Sequence, residues 1–120
     1  MREPSNLVRS QYPKLVRDYM PVIIRREGAT PQFRKLTGAD KVQALIKKLH
    51  EEVHELEDAL SSGQTDQMTE EFADVFEVLT ELVYSSGTYM SSVNEYRDQK
   101  GAIKGRFSDG IYMEGIEIDE

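Results

Sequence analysis

The sequence predicts an all-α fold built on an antiparallel pair of long helices. Two segments carry apolar residues at the three- and four-residue spacing of amphipathic helices, and a Ser-Ser-Gly-Gln break at residues 61–64 separates them. At 120 residues with 38% apolar composition, the chain has material for one domain with a core and too little for two. We therefore expect one domain over residues 1–120, with residues 1–12 as a flexible or peripheral N-terminus.

The first part of the chain predicts a short helix followed by a connecting segment. An apolar group at residues 20–24 precedes a basic pair and Gly28, which is typical of a short helix that closes at a glycine. Residues 30–36 are expected to be extended. Gly38-Ala39-Asp40 then supplies a turn, and Asp40 is the expected N-cap of the first long helix.

Both long helices are predicted from their apolar positions. The first has them at 42, 45, 46, 49, 53, 56 and 60, and the second at 68, 72, 75, 76, 79, 82 and 83. Thr65 or Asp66 is the expected N-cap of the second helix, which should run towards Gly87. A weaker helix is predicted from about residue 90 to residue 100, and a short strand is expected at residues 111–113 in an otherwise looped tail.

Composition excludes several classes of function. The net charge of -7 argues against nucleic-acid binding, because phosphate backbones are held by lysine and arginine, and here acids outnumber bases by 22 to 15. No run of about 18 apolar residues is present to cross a membrane, and the N-terminus lacks the apolar stretch of a signal peptide. The absence of cysteine excludes disulfides and thiol chemistry and fits a reducing compartment. We expect a cytoplasmic protein, which would need a metal if it binds phosphates.

Carboxylates near the apolar stripes of the two long helices indicate a cation site. At about 100° per residue, Glu52 and then Glu55 flank the apolar stripe of the first helix. Glu71 falls inside the stripe of the second helix, with Asp74 just outside it. A carboxylate kept in an apolar stripe favours a bound cation, because an unpaired buried ion is costly or becomes protonated. Carboxylate oxygens suit Mg²⁺ or Mn²⁺.

Two other interpretations of these acids remain open on spacing alone. The acidic run at residues 51–58 is also typical of a solvated helix face. His50 and His54 have the i, i+4 spacing of a zinc pair, and Glu51 with His54 forms one Glu-x-x-His pair of the kind that di-iron bundles use twice. The second long helix contains no histidine, so we expect both histidines to be ordinary exposed residues.

The apolar stripe of the second helix also predicts an oligomer. The stripe spans about 160°, which is wider than one partner helix covers. A second subunit would bury the remainder of the stripe. We expect a homodimer or a homotetramer.

Three motifs resemble those of one protein family. Glu51-Glu52-x-x-Glu55, followed by Glu71-x-x-Asp74, resembles the EExxE...ExxD signature of MazG-like, all-α nucleoside triphosphate pyrophosphohydrolases. Lys14-Leu15-Val16-Arg17-Asp18 with Pro21 is similar to the KLVRDxxP start of a group related to phosphoribosyl-ATP pyrophosphohydrolase. Lys104-Gly105-Arg106-Phe107, with Gly110-Ile111, resembles the group's (R/K)GGF...GI ending, although Arg106 stands where the family has a second glycine.

The resemblance implies a MazG-like helical bundle built on the helix hairpin and completed by oligomerisation. It implies that water, activated by bound Mg²⁺ or by Mn²⁺ as a substitute, attacks between the α and β phosphates of a nucleoside triphosphate. The implied catalytic residues are Glu51 and Glu55. The implied metal ligands are Glu52, Glu55, Glu71 and Asp74. The implied substrate-binding residues are Lys14, Arg17, Asp18, Lys104 and Arg106.

The resemblance thus implies a house-cleaning nucleotide pyrophosphatase. Two alternative functions follow from the same resemblance. One is hydrolysis of phosphoribosyl-ATP, which shares the fold and the use of metal. The other is a non-catalytic helical module that senses nucleotides or binds a partner. The aromatic side chains of Tyr12, Tyr19, Phe33 and Tyr112 are candidates for stacking on a base, but such residues are more often part of the core.

Overall fold

The computed structural model describes residues 12–119, and these residues form four α-helices and no strand. The predicted all-α fold is therefore confirmed. The described residues fall into two compact units that divide between Gly87 and Thr88. The expectation of a single domain over residues 1–120 stays a prediction. Residues 1–11 of the expected N-terminal extension lie outside the described residues. The helices are α1 (Met20–Arg26), α2 (Gly38–Ser62), α3 (Thr65–Ser85) and α4 (Met90–Lys104).

The first unit is built on the predicted hairpin of α2 and α3, which pack against each other. Gly63 ends α2 with a left-handed backbone (φ 73°), a conformation that glycine adopts without steric cost, and only Gly63 and Gln64 separate the helices. So short a connection makes the helices antiparallel neighbours. Leu45 and Ala59 of α2 are buried, at 3% and 6% exposure. The hairpin is therefore the frame that brings the acids of α2 and α3 together.

The two expected N-caps are wrong. α2 begins at Gly38 after Thr37, so Asp40 lies within the first turn, and α3 begins at Thr65 after Gln64. Neither Thr37 nor Gln64 forms a capping hydrogen bond with its side chain. Asp40 and Asp66 instead lie in the first turns. There a negative charge is favoured by the partial positive charge of the helix N-terminus.

The segment before the hairpin contains the predicted short helix. α1 has Pro21 near its start, where the missing N–H is not needed, and Arg25 and Arg26 in its last turn, where the helix dipole favours positive charge. Residues 27–37 contain no further helix or strand. None of the described helices is both long enough and apolar enough to cross a membrane.

The second unit consists of α4 and the tail. α4 extends to Lys104, one turn beyond its predicted end, and Gly105 follows it with a positive φ of 79°. The strand expected at residues 111–113 does not form in the described tail. Ile111 and Tyr112 are 82% and 90% exposed. The apolar pattern was not sufficient, because a strand is stable only when another strand pairs with its backbone.

Candidate metal centre

Three glutamates of the hairpin converge on one point. Glu52 and Glu55 lie one turn apart on α2, and Glu71 lies on α3. Each offers a carboxylate oxygen, and the three oxygens all lie within 4.8 Å of one another. This is close enough for all of them to contact one cation.

Two oxygens of this cluster are buried without a hydrogen-bond partner among the described residues. They are Oε2 of Glu52 and Oε2 of Glu71. Glu52 as a whole is only 6% exposed, and its other oxygen, Oε1, lies 3.3 Å from Nζ of Lys48. An unpaired buried carboxylate oxygen is costly, so this arrangement fits a site that receives a positive ion.

The proximity of the carboxylates changes their acidity. Burial, and then the negative charges of Glu55, Asp74 and Glu52, raise the pKa of Glu71 from the usual 4.5 to about 7. Burial and the neighbouring charge of Glu52 also raise the pKa of Glu55. Both shifts disfavour the charged form in the metal-free protein. A cation placed among the carboxylates would favour their charged forms and so lower the pKa of both glutamates.

The donor set indicates the kind of metal. The cluster offers carboxylate oxygens, which hard divalent ions such as Mg²⁺ and Mn²⁺ prefer. His50 and His54 are exposed and lie outside this cluster, as expected. The cluster is therefore able to hold a metal ion through oxygen ligands alone.

Asp74, the fourth expected metal ligand, forms an ion pair with Arg17. Nη2 of Arg17 donates a hydrogen bond of 2.8 Å to Oδ1 of Asp74. The contact joins the segment before α1 to α3. It also brings together an expected phosphate-binding residue and an expected metal ligand, which the sequence assigned to separate roles.

The other expected site residues of the first unit do not belong to the cluster. Glu51 lies outside the group of three, with Oε2 3.7 Å from Nζ of Lys48. Lys14 and Asp18 are exposed, and Nζ of Lys14 lies 5.5 Å from the centre of the Tyr12 ring. These positions leave Lys14, Asp18 and Glu51 as predicted site residues without a contact to the cluster.

Sequence reasoning missed two features beside the cluster. Lys48 contacts Glu51 and Glu52, and its i, i+3 and i, i+4 spacing to them was a usable signal. The second feature is a cavity of about 350 Å³ that opens on Glu55 and Glu71. The other residues that line the cavity lie between the two halves of the EExxE...ExxD motif, where no spacing rule pointed to them. They are Asp58, Ala59, Gln67 and Glu70.

Comparison with known protein families finds one match. Residues 40–93, which contain almost all of α2, all of α3 and the first turn of α4, match the family model of the MazG nucleotide pyrophosphohydrolase domain. The resemblance to the MazG family is confirmed. No curated protein and no solved structure matches the chain. The MazG match includes all the acids of the cluster and supports nucleotide pyrophosphohydrolase activity in general.

The expected binding residues of the tail lie outside the MazG match, in the second unit. Arg106 lines a cavity of about 620 Å³ together with Arg97 and Lys100, two cations that sequence reasoning missed. The Arg106 guanidinium lies against Gly101, since a Cβ there would stand 2.8 Å from Cζ of Arg106. It also contacts Oδ1 of Asp98 at 3.4 Å. Lys104 ends α4 and does not line this cavity.

The four aromatic candidates for base stacking are exposed rather than part of a core. Their exposures are 44% for Tyr12, 79% for Tyr19, 54% for Phe33 and 90% for Tyr112. Phe33 lies 5.9 Å from the guanidinium carbon of Arg25. These four aromatic side chains are therefore not core residues of the described structure.

The metal-free protein is expected to lose stability as the pH rises from about 4.5 to about 7. Between 4.5 and about 7 the folded state keeps the Glu71 proton that the unfolded state loses, so ionisation favours unfolding in this window. Allowing for the partial exposure of Glu71, we expect an effect of about 1 kcal/mol, or about 4–8 °C in melting temperature. Thermal unfolding followed by circular dichroism in EDTA measures it.

The control for this pH effect is the Glu71→Gln variant, which lacks the titrating group. All other carboxylates are shared, so the difference between the two pH profiles isolates Glu71. Identical profiles for wild type and variant would show that Glu71 ionises normally and would contradict the prediction.

Proposed function

We propose that the chain is a Mg²⁺-dependent nucleoside triphosphate pyrophosphohydrolase, which produces a nucleoside monophosphate and pyrophosphate. The observation that carries the proposal is the convergence of Glu52, Glu55 and Glu71, with two unpaired buried oxygens, inside the MazG match. Mn²⁺ would substitute for Mg²⁺, because both prefer oxygen ligands. The cytoplasmic location expected from the sequence remains part of the proposal, as does the absence of nucleic-acid and membrane partners.

The carboxylates would have different roles, metal binding or proton transfer, according to their exposure. Glu52, Glu55 and Glu71 would hold the ion, with Asp74 as a further ligand. A bound divalent ion neutralises phosphate oxygens and lowers the pKa of water. Glu55 is the one exposed carboxylate of the cluster, and it lines the cavity. A carboxylate oxygen of Glu55 that the ion does not use would take the proton of the attacking water, with Glu51 as the second candidate.

The cations would bind the substrate. Lys14 and Arg17 of the first unit would hold phosphates through charge-assisted hydrogen bonds. The same role is proposed separately for Lys104 and Arg106 of the second unit. Asp18 would contact a hydroxyl or amino group instead, because a carboxylate repels phosphate.

The reaction is tested by identifying products from a panel of canonical, deoxy and modified nucleoside triphosphates with Mg²⁺ or Mn²⁺. We expect monophosphate and pyrophosphate in equal amounts, and none in EDTA. Production of diphosphate and phosphate would contradict the proposed cleavage site.

Phosphoribosyl-ATP belongs in the panel, because the Lys14–Asp18 motif resembles that of the phosphoribosyl-ATP pyrophosphohydrolase group. If only this compound is hydrolysed, the alternative enzyme is correct; if nothing is hydrolysed, the non-catalytic alternative gains.

The proposal includes a homodimer or homotetramer. The outer face of α3 exposes three large apolar side chains at helical spacing: Phe72 is 52% exposed, Phe76 63% and Leu79 44%. Together they form a contiguous apolar stripe along the helix. Such a stripe marks an association surface on a protein in water. A second copy of this chain is the occupant we propose.

Placing a charge in that stripe should separate the subunits. We expect Phe76→Asp to be a monomer where the wild type is an oligomer, because the carboxylate would be desolvated at the interface. Sedimentation velocity measures the change. Ile103→Asp in α4, where the isoleucine is 82% exposed, is the matched control and should keep the wild-type mass. A wild type that is monomeric at high micromolar concentration would contradict the proposed oligomer.

A further inference from the structure

The contact between Arg17 and Asp74 joins residues that are 57 positions apart in the sequence. Nη2 of Arg17 lies 2.8 Å from Oδ1 of Asp74, with side-chain exposures of 64% for the arginine and 30% for the aspartate. The arginine is therefore accessible from solvent while it is paired. The aspartate is the more enclosed of the two.

Asp74 lies beside the glutamate cluster without being part of it. It is one helical turn beyond Glu71 on α3, and its negative charge is among the causes that raise the pKa of Glu71. Its oxygens nevertheless do not belong to the group that lies within 4.8 Å. Arg17 thus neutralises the acid that is best placed to become the fourth ligand.

We propose that Arg17 is a positioning residue, which holds Asp74 away from the metal cluster until a polyphosphate anion displaces it. The inference rests on the proposed function and adds an order of events to it. In the nucleotide-free protein only Glu52, Glu55 and Glu71 would hold the ion. When the phosphates of the substrate bind the guanidinium, Asp74 is released and completes the site.

The exchange is energetically easy. An exposed ion pair contributes little to stability, because both ions are well solvated when they separate. A phosphate oxygen pair accepts two hydrogen bonds from one guanidinium, which makes polyphosphate a stronger partner than the single bond to Asp74. Because linkage is reciprocal, a nucleotide that releases Asp74 tightens metal binding, and the metal tightens nucleotide binding by the same factor.

The inference predicts that removal of Arg17 improves metal binding. We expect Arg17→Gln to bind Mn²⁺ about three- to fivefold more tightly than wild type in the absence of nucleotide, the range that loss of one exposed ion pair allows. Arg26→Gln removes the same charge from α1 and is the matched control, with a smaller change. In an Asp74→Asn background the Arg17→Gln change should have no more effect than Arg26→Gln, because the specific effect of Arg17 acts through its contact with Asp74.

Electron paramagnetic resonance of free Mn²⁺ measures these affinities without reference to turnover. Equal or weaker binding by Arg17→Gln, or the same gain in the Asp74→Asn background, would overturn the inference while leaving the metal site intact. No Mn²⁺ binding by wild type would overturn the proposed function itself.

A second measurement tests the displacement of Arg17. The ¹³C shift of the Asp74 carboxylate is followed in EDTA during titration with a non-hydrolysable α,β-methylene nucleoside triphosphate. We expect a saturable change in wild type that is absent in Arg17→Gln. A wild-type signal that stays constant while the nucleotide binds would overturn the proposed order of events.

Discussion

Replacing Glu71 by glutamine is expected to reduce metal-dependent pyrophosphate release by roughly a hundredfold or more. The substitution removes one of three carboxylates whose oxygens lie within 4.8 Å of one another. Even changes to groups that only support metal ligands weaken metal sites by about 10- to 100-fold, and loss of a ligand removes charge that the ion requires. The rate of pyrophosphate release at saturating nucleotide and Mg²⁺ measures the effect.

The same substitution should leave the fold intact and raise its stability without metal. The amide cannot carry the charge that the neighbouring acids oppose, so the EDTA-treated variant should melt above wild type at pH 8. Glu77→Gln, on the same helix and exposed, is the matched control and should keep both activity and melting temperature. Wild-type turnover by Glu71→Gln would remove this residue from the site.

Truncation of Leu45 is expected to have the largest effect on stability. This side chain is 3% exposed and, with Ala59, forms the buried apolar part of the described hairpin. Leu45→Ala should lower the free energy of unfolding by about 2–5 kcal/mol, because it loses apolar burial and leaves a cavity. Urea unfolding at a fixed protein concentration measures it, since association also contributes to the stability of an oligomer.

The matched control for Leu45 is Leu60→Ala on the same helix. Leu60 is 49% exposed, so its truncation should cost well under half as much. If the two substitutions cost the same, the side chain of Leu45 would not be the centre of the hairpin core.

Helix periodicity was sufficient to predict the framework of the fold. Apolar spacing and the glycines at positions 28 and 63 gave α1, α2 and α3, because these signals are local. The N-caps were wrong because several polar residues near each helix start can cap, and the choice depends on the backbone of the connecting segment. The strand at residues 111–113 was wrong because pairing is not a local property.

Helix periodicity also predicted part of the glutamate cluster. Angular position placed Glu52 at the edge of one apolar stripe and Glu71 inside the other, and the structure buries an oxygen of each. The ion pair of Arg17 with Asp74 could not be predicted, since no periodicity relates a residue before α1 to one in α3. The grouping of Arg97 and Lys100 with Arg106 likewise depends on how the chain turns after Gly105.

The central claim is that Glu52, Glu55 and Glu71 together hold a divalent ion. Calorimetric titration of the EDTA-treated, dialysed protein with Mn²⁺ at pH 8 tests it most directly, with Glu71→Gln and Glu77→Gln beside wild type. We expect saturable binding of at least one ion per chain by wild type and Glu77→Gln, and binding at least tenfold weaker by Glu71→Gln, on the order expected when a metal site is disrupted. Equal affinity in all three proteins would place the ion elsewhere and contradict the account.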